Sequence, residues 1–159
     1  MSTFKKVLNL IRSNKTILKE MDKTTPEFSL AGKIFLCKVV DIYDGDSCKV
    51  VFKHARQYHK WNIRMYGYDS PEIRISRKAE NREYLKKIGL DAKNYLIELI
   101  GKEELLYIKC GKFDKYGRLL GDLYYTKEDT NNWEKSINKK MIDDGQGYPY
   151  EGGKKISFI

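Results

Sequence analysis

The sequence predicts an α+β domain: a five-stranded antiparallel Greek-key barrel with helices packed around it, preceded by an N-terminal helical extension. Three observations predict it. Runs of β-branched and apolar residues recur at short intervals, as strands require. Two stretches instead repeat their apolar residues every three or four positions, as amphipathic helices do. Their order along the chain is three strands, a helix, two strands and a helix, with turn-forming residues between them. A chain of 159 residues with 41% hydrophobic content is long enough for one real core and too short for two ordinary domains.

Residues 1–30 are expected to form the extension. Phe4, Val7, Leu8 and Ile11 follow helical spacing with basic and hydroxyl residues between them. An organelle transit peptide shares that pattern, and an added helix is the simpler expectation. Thr24-Thr25-Pro26 and Ala31-Gly32 break it, so the domain is expected over residues 31–159. Residues 34–40 and 47–52 read as two strands. Asp44-Gly45 is a hairpin signal between them, because glycine tolerates the positive φ of such turns. A third strand over about residues 58–65 leads into the stretch 69–72. Leu85, Ile88, Ala92, Tyr95 and Leu99 then predict a long helix over about 79–100, with Gly101 placed to end it. Strands near 104–110 and 119–125 flank "GKFDKYGR". Trp133, Ile137 and Met141 share one helical face, and Gly145 supplies a stop. This order fits a barrel of the OB type, which presents a strand face and loops to nucleic acids or sugars.

Charge points the same way. Lys plus Arg number 31 against 22 Asp plus Glu, a formal net charge of +9, and such a field concentrates polyanions near the surface. Cys37, Cys48 and Cys110 form no CxxC pair, and their odd number reads as a reduced, intracellular protein without a cysteine zinc site. His54 and His59 are the two histidines; both lie in or near strand-like segments and read as surface residues, so no histidine metal centre is expected. No apolar run approaches the length of a membrane span, and the N-terminus lacks the hydrophobic core of a signal peptide. A monomer with no membrane partner is the expectation.

Two segments carry candidate chemistry. Asp46 follows the first hairpin turn and Asp69 ends the third strand, so neighbouring strands can bring both carboxylates to one hard, oxygen-only site for Ca²⁺ or Mg²⁺. Glu72, three residues on, would stand beside such an ion and orient or deprotonate a water. Arg64 and Arg118 would match phosphate oxygens with their guanidinium forks. Together these describe metal-assisted phosphodiester hydrolysis. Taken singly, each has a plainer reading: Asp44-Gly45-Asp46 as a hairpin, Ser70-Pro71 as a turn, and the arginines as partners in surface ion pairs. Joint occurrence favours the site.

"VVDIYDGDSCKV", "IRMYGYDSPE" and "FDKYGRLLGDLYY", in this order, closely resemble the signature segments of the staphylococcal nuclease family, an OB-fold group. The resemblance spans about residues 32–153. It implies that one Ca²⁺ ion is held by Asp46, Asp69 and the backbone carbonyl of Ser70, with Asp44 supporting these ligands from behind. It further implies that Arg64 and Arg118 bind the phosphate and that Glu72 positions or activates the attacking water. Lys115 and Tyr116 match a loop that contacts a nucleotide phosphate. Tyr148 and Tyr150, in "GYPY", match tyrosines near the bound nucleotide, a placement suited to stacking on bases. The implied reaction is water attack at phosphorus with loss of the 5′ oxygen, leaving 3′-phosphate ends on DNA or RNA with little base preference. Ser47 stands where family members often carry threonine, and Pro149 restricts the backbone between the two tyrosines. The alternative is a catalytically inactive nuclease-like module that binds nucleic acid, as in the repeats of Tudor-containing proteins. A barrel that only binds single strands would give the acids no reason to cluster.

Overall fold

The computed structural model describes residues 14–101 and 103–158. The expected helix through Phe4, Val7, Leu8 and Ile11 lies outside the described residues. A helix α1 (Asn14–Glu20) follows and buries none of its side chains. The chain then docks: Leu30 is fully buried, and Phe28 packs edge-on against His54 with ring centroids 5.5 Å apart.

Five strands close a barrel: β1 (Ile34–Asp44), β2 (Ser47–His54), β3 (Gln57–Met65), β5 (Leu106–Phe113) and β6 (Leu119–Tyr124), in the order β1-β2-β3-β6-β5 with β5 returning to β1. Alternation makes the core. In β2 Cys48, Val50 and Phe52 point inward, and in β5 Leu106, Ile108 and Cys110 do so. This is the period-2 pattern of strands with one buried face. Phe35, Phe52 and Trp61 stack across three strands, at centroid separations of 4.4 and 5.1 Å. All three cysteines are free and buried.

The sheet is mixed, which corrects the antiparallel expectation. β3 and β6 run parallel, pairing Ile63 with Leu119 and Met65 with Gly121. Strand runs and turn residues report hairpins, where the chain reverses at once. Parallel partners need a long crossover, and here it is the whole segment from residue 66 to residue 118. The hairpin joining β2 to β3 was also invisible: Ala55 and Arg56 both take positive φ, 49° and 69°, in a two-residue loop closed by the His54–Gln57 pair. That geometry ordinarily selects Asn or Gly.

Across one end of the barrel lies α2 (Arg82–Gly101), burying Gly89, Ala92, Leu96 and Leu99. This stripe sits beside the one drawn from periodicity, with Leu85, Ile88 and Tyr95 at its margin. Gly101 does not adopt the left-handed φ of a glycine cap. A short helix α3 (Ile137–Asp143) follows two 3₁₀ turns, and Ser136 caps it by accepting from the Lys139 N–H at 3.0 Å. Trp133 belongs to the second of those turns, so it does not share the face of α3. Asn138 joins the layers: its side chain bonds the Leu123 N–H, Tyr66 O and Gly121 O. Finally β4 (Tyr68–Asp69) pairs with β7 (Tyr148–Pro149), placing Tyr148 opposite Asp69. Among the described residues no helix is long and apolar enough to cross a membrane.

Candidate functional site

The turn between β1 and β2 carries Asp46. Asp44 pairs with Ser47, leaving Gly45 and Asp46 as the loop, so Asp46 belongs to the turn and not to the strand. Gly45 is not in the left-handed region, contrary to the reason first given for it. Space decides instead: a Cβ there would lie 2.8 Å from the Ala92 Cβ on α2 and 2.8 Å from the Ser70 Oγ. Bare backbone lets the turn lean on both. The buried Tyr68 hydroxyl donates to the Gly45 carbonyl at 2.6 Å, and the Met65 N–H donates to the Asp46 carbonyl at 2.8 Å.

These contacts aim the Asp46 carboxylate at β3. Its Oδ2 lies 3.1 Å from Arg64 Nη1 and accepts from the Ser70 N–H at 2.9 Å, while its Oδ1 accepts from Ser47 Oγ at 3.0 Å. Arg64 also donates through Nη2 to Asp69 Oδ1 at 2.8 Å and through Nη1 to the Met65 carbonyl at 3.0 Å. Asp44 Oδ1 accepts from the Asp46 N–H at 3.2 Å. Asp44, Asp46, Arg64 and Asp69 are buried, with Asp69 only 1% exposed, while Ser47 is half-buried.

One guanidinium thus meets two buried carboxyl groups, with that of Asp44 buried behind Asp46, and a single positive charge does not balance them. Burial accordingly pushes the Asp46 carboxyl well above the usual carboxylate range, with Asp44 and Asp69 adding to the rise against the pull of Arg64 and the Ser70 N–H. The deficit of positive charge is one an added cation would relieve. At the rim an ammonium already does part of this. Lys155 Nζ sits 2.9 Å from Asp69 Oδ1 and 2.8 Å from Glu72 Oε1. Burial works against the Lys155 charge, but its hydrogen bonds to Glu72 and Asp69 outweigh that and raise its pKa.

Arg118 approaches from the β5–β6 connection. Asp114 organises this loop: Oδ1 accepts from the N–H groups of Tyr116 and Arg118, and Oδ2 accepts from Arg118 Nε at 2.8 Å. Gly117 supplies the φ of +79° that the turn demands. Burial would raise the Asp114 pKa, yet these donors hold it below the usual carboxylate value. Tyr116 is 72% exposed, with the Lys115 ammonium and Arg118 guanidinium over its ring at 5.0 and 5.6 Å.

A cavity of about 590 Å³ joins these parts, with Arg64, Glu72, Lys115, Arg118, Tyr150 and Lys155 on its walls. Asp69, Ser70 and Tyr148 stand behind that wall. The Tyr148 hydroxyl is turned to Asp69 Oδ2, 3.0 Å away, so it is tied to the acid cluster. A second pocket of about 330 Å³ continues past Tyr116 and Arg118 beneath Gly152 and Gly153. Lys155, Asp114 and Tyr68 are the site-building residues that reading the sequence missed. "GGKK" gave the one faint signal, a glycine pair ahead of a basic pair.

Among the described residues no three Asp, Glu, His or Cys side chains converge as a metal cage. The donor set nevertheless fits a hard cation. Asp46 and Asp69 offer carboxylate oxygens only, the Ser70 Oγ is buried without a partner, and the Lys155 ammonium acts as a stand-in cation on Asp69. Such ions commonly complete their coordination with water.

A closed five-strand barrel, with acids and arginines gathered where the β1–β2 turn meets the end of β3, defines an OB-like domain of the nuclease type. The staphylococcal nuclease homologue family matches residues 62–155, more than half of the chain, and the chain belongs to this family, whose members are in general nucleases. The match takes in Arg64, Asp69, Glu72, Arg118 and Lys155, while Asp46 precedes it. The protein is also similar to the uncharacterized lipoprotein MG186 homolog of Mycoplasma pneumoniae. Identity is 27% over 93 residues, 58% of this chain and 31% of that protein. The chain therefore matches about a third of the relative's length.

Proposed function

We propose that the protein is a calcium-dependent nuclease that hydrolyses phosphodiester bonds of DNA and RNA with little base specificity, leaving 3′-phosphate ends. The observation that carries this reading is the interlocked Asp46–Arg64–Asp69 cluster, at the wall of a cavity that Glu72 and Arg118 also line. Asp46, Asp69 and the carbonyl of Ser70 would hold one Ca²⁺ ion, with Asp44 fixing the Asp46 backbone. Bound there, the ion would supply a hard Lewis acid against the charge of a phosphoryl oxygen.

The remaining roles belong to the chain's own groups. Arg64, immobilised by two carboxylates, presents a fixed positive charge to the phosphate without reorganising during the reaction. Asp114 engages Arg118 through Nε, so its two Nη donors remain for a phosphate oxygen pair. Glu72 is half-exposed on the cavity and orients a water or takes its proton. Lys115 adds charge, and Tyr116 and Tyr150 offer faces on which any base can stack, which accounts for low base preference.

A binding module without catalysis has one observation in its favour: Lys155 holds Glu72 in an ion pair. Cleavage of a fluorescent single strand by the purified protein separates the two. Rapid cleavage in Ca²⁺, stopped by EDTA and reduced by orders of magnitude in Glu72→Gln and Arg64→Ala, supports the nuclease. Binding without cleavage in Ca²⁺, Mg²⁺ and Mn²⁺ alike would leave the binding module.

A further inference from the structure

Lys155 reaches the site on a strap whose path is built into the fold. Gly152 and Gly153 take φ of 111° and 99°, values that turn the chain back across the cavity and that side chains resist. The Tyr150 hydroxyl donates to the Gly153 carbonyl at 2.9 Å, and the Ile156 N–H donates to the Tyr148 hydroxyl at 2.8 Å. The Phe158 ring rests against the Tyr148 ring, with centroids 5.0 Å apart. Tyr148 therefore holds the strap with one hydroxyl while also bonding Asp69 Oδ2. Between these anchors the Lys155 ammonium touches Asp69 Oδ1, the oxygen that Arg64 Nη2 also reaches, and Glu72 Oε1.

We infer that Lys155 is a tethered cation, anchored also on Glu72, that competes with the divalent ion for Asp69, so that loading the ion requires the strap to let go. This rests on the ion site proposed above. Asp69 accepts from Arg64, Lys155 and Tyr148, which leaves one of its roughly four lone-pair directions free. A divalent ion on that carboxylate would also meet an ammonium of like charge at contact distance. Release is feasible because the Lys155 side chain is half-exposed and returns readily to water. In the absence of the ion the same contact partly neutralises the buried acids. Lys155 would thus set the ion concentration at which the site fills.

The test is calorimetric titration of Ca²⁺ into the whole protein and into Lys155→Met, Lys155→Arg and Lys154→Met. Losing the charge-assisted contact on Asp69 that the ion must displace, together with its anchor on Glu72, should tighten binding in Lys155→Met about tenfold. Lys155→Arg should stay near the unaltered protein. Lys154→Met removes the same charge one residue away and should change affinity less than about twofold, since exposed charges are screened. Trypsin supplies a readout on the unaltered protein: cleavage after Lys154 and Lys155 should accelerate on adding Ca²⁺ as the strap lifts. Equal affinity in Lys155→Met and the unaltered protein, equal tightening by both Met variants, or cleavage indifferent to Ca²⁺ would each overturn the inference and leave the ion site standing. No Ca²⁺ binding by any of the four proteins would overturn both.

Discussion

Gly89→Ala sets local preference against tertiary fit. Gly89 lies inside α2, where alanine is favoured over glycine by about 0.8–1.0 kcal/mol. On that basis the substitution should stabilise. The structure reverses the sign: a Cβ at Gly89 would sit 2.6 Å from the Glu72 carbonyl oxygen and 2.9 Å from its carbon. The obstacle is backbone, so rotamer change cannot relieve it, and the helix or the stretch carrying Glu72 must move. Overpacking of this kind costs about 1–3 kcal/mol, with backbone obstacles toward the upper end. The net expectation is destabilisation by about 1–2 kcal/mol, or a Tm lower by about 2–8 °C for a chain of this size. Thermal and urea unfolding would measure it. Gly101→Ala is the control: it lies on the same helix, outside the left-handed region, with nothing within 4 Å of its would-be Cβ. That variant should be neutral or more stable. Gly89→Ala matching or exceeding the unaltered protein in stability would refute the claim that the helix is held against the Glu72 backbone.

Asn138→Ala should cost about 3 kcal/mol, read as a fall in the urea midpoint, because the Leu123 N–H and the Tyr66 and Gly121 carbonyls lose their common partner. An unchanged midpoint would mean that Asn138 is not the joint between α3 and the barrel. Burial pushes the Asp122 carboxyl up to about 6, against the pull of the Lys109 ammonium. A carboxyl group raised in this way contributes stability below its ordinary pKa of 3.8, and that contribution is lost as pH rises through about 6. Asp122→Asn should therefore gain on the unaltered protein in Tm between about pH 4 and about pH 7, whereas parallel curves would contradict the buried placement. Asp114→Ala removes the acceptor of three donors in the Arg118 loop. It should weaken binding of a short DNA strand, measured by fluorescence anisotropy, with little change in Tm; unaltered binding would show that Arg118 needs no such support.

The distances alter how the site residues group. Asp46 and Asp69 are 23 positions apart in sequence, yet both meet the Arg64 guanidinium. Tyr148 and Tyr150 read as a pair because they flank one proline. In the fold their rings stay in edge contact, with centroids 6.3 Å apart, but their tasks divide: Tyr148 bonds Asp69 behind the cavity and Tyr150 lies on its wall. Register explains this. β7 pairs Tyr148 directly with Asp69, and two-residue strands leave no alternating pattern from which to foresee the pairing.

Local chemistry was legible in the sequence alone. Runs of β-branched and apolar residues marked the strands, three- and four-residue spacing marked α2, and charged residues set beside turn-formers marked the segments that build the site, because each of those signals depends on neighbours along the chain. The tertiary structure decided the rest. It made the sheet mixed by laying β3 beside β6, and it required Gly45 to be bare where the Ala92 and Ser70 side chains press close and Gly89 where the Glu72 backbone does. It also brought Lys155 onto Asp69 and Glu72. Close approach and parallel pairing join residues that the sequence sets far apart, so no local period records them, whereas hydrophobic spacing is written in the order of the residues themselves.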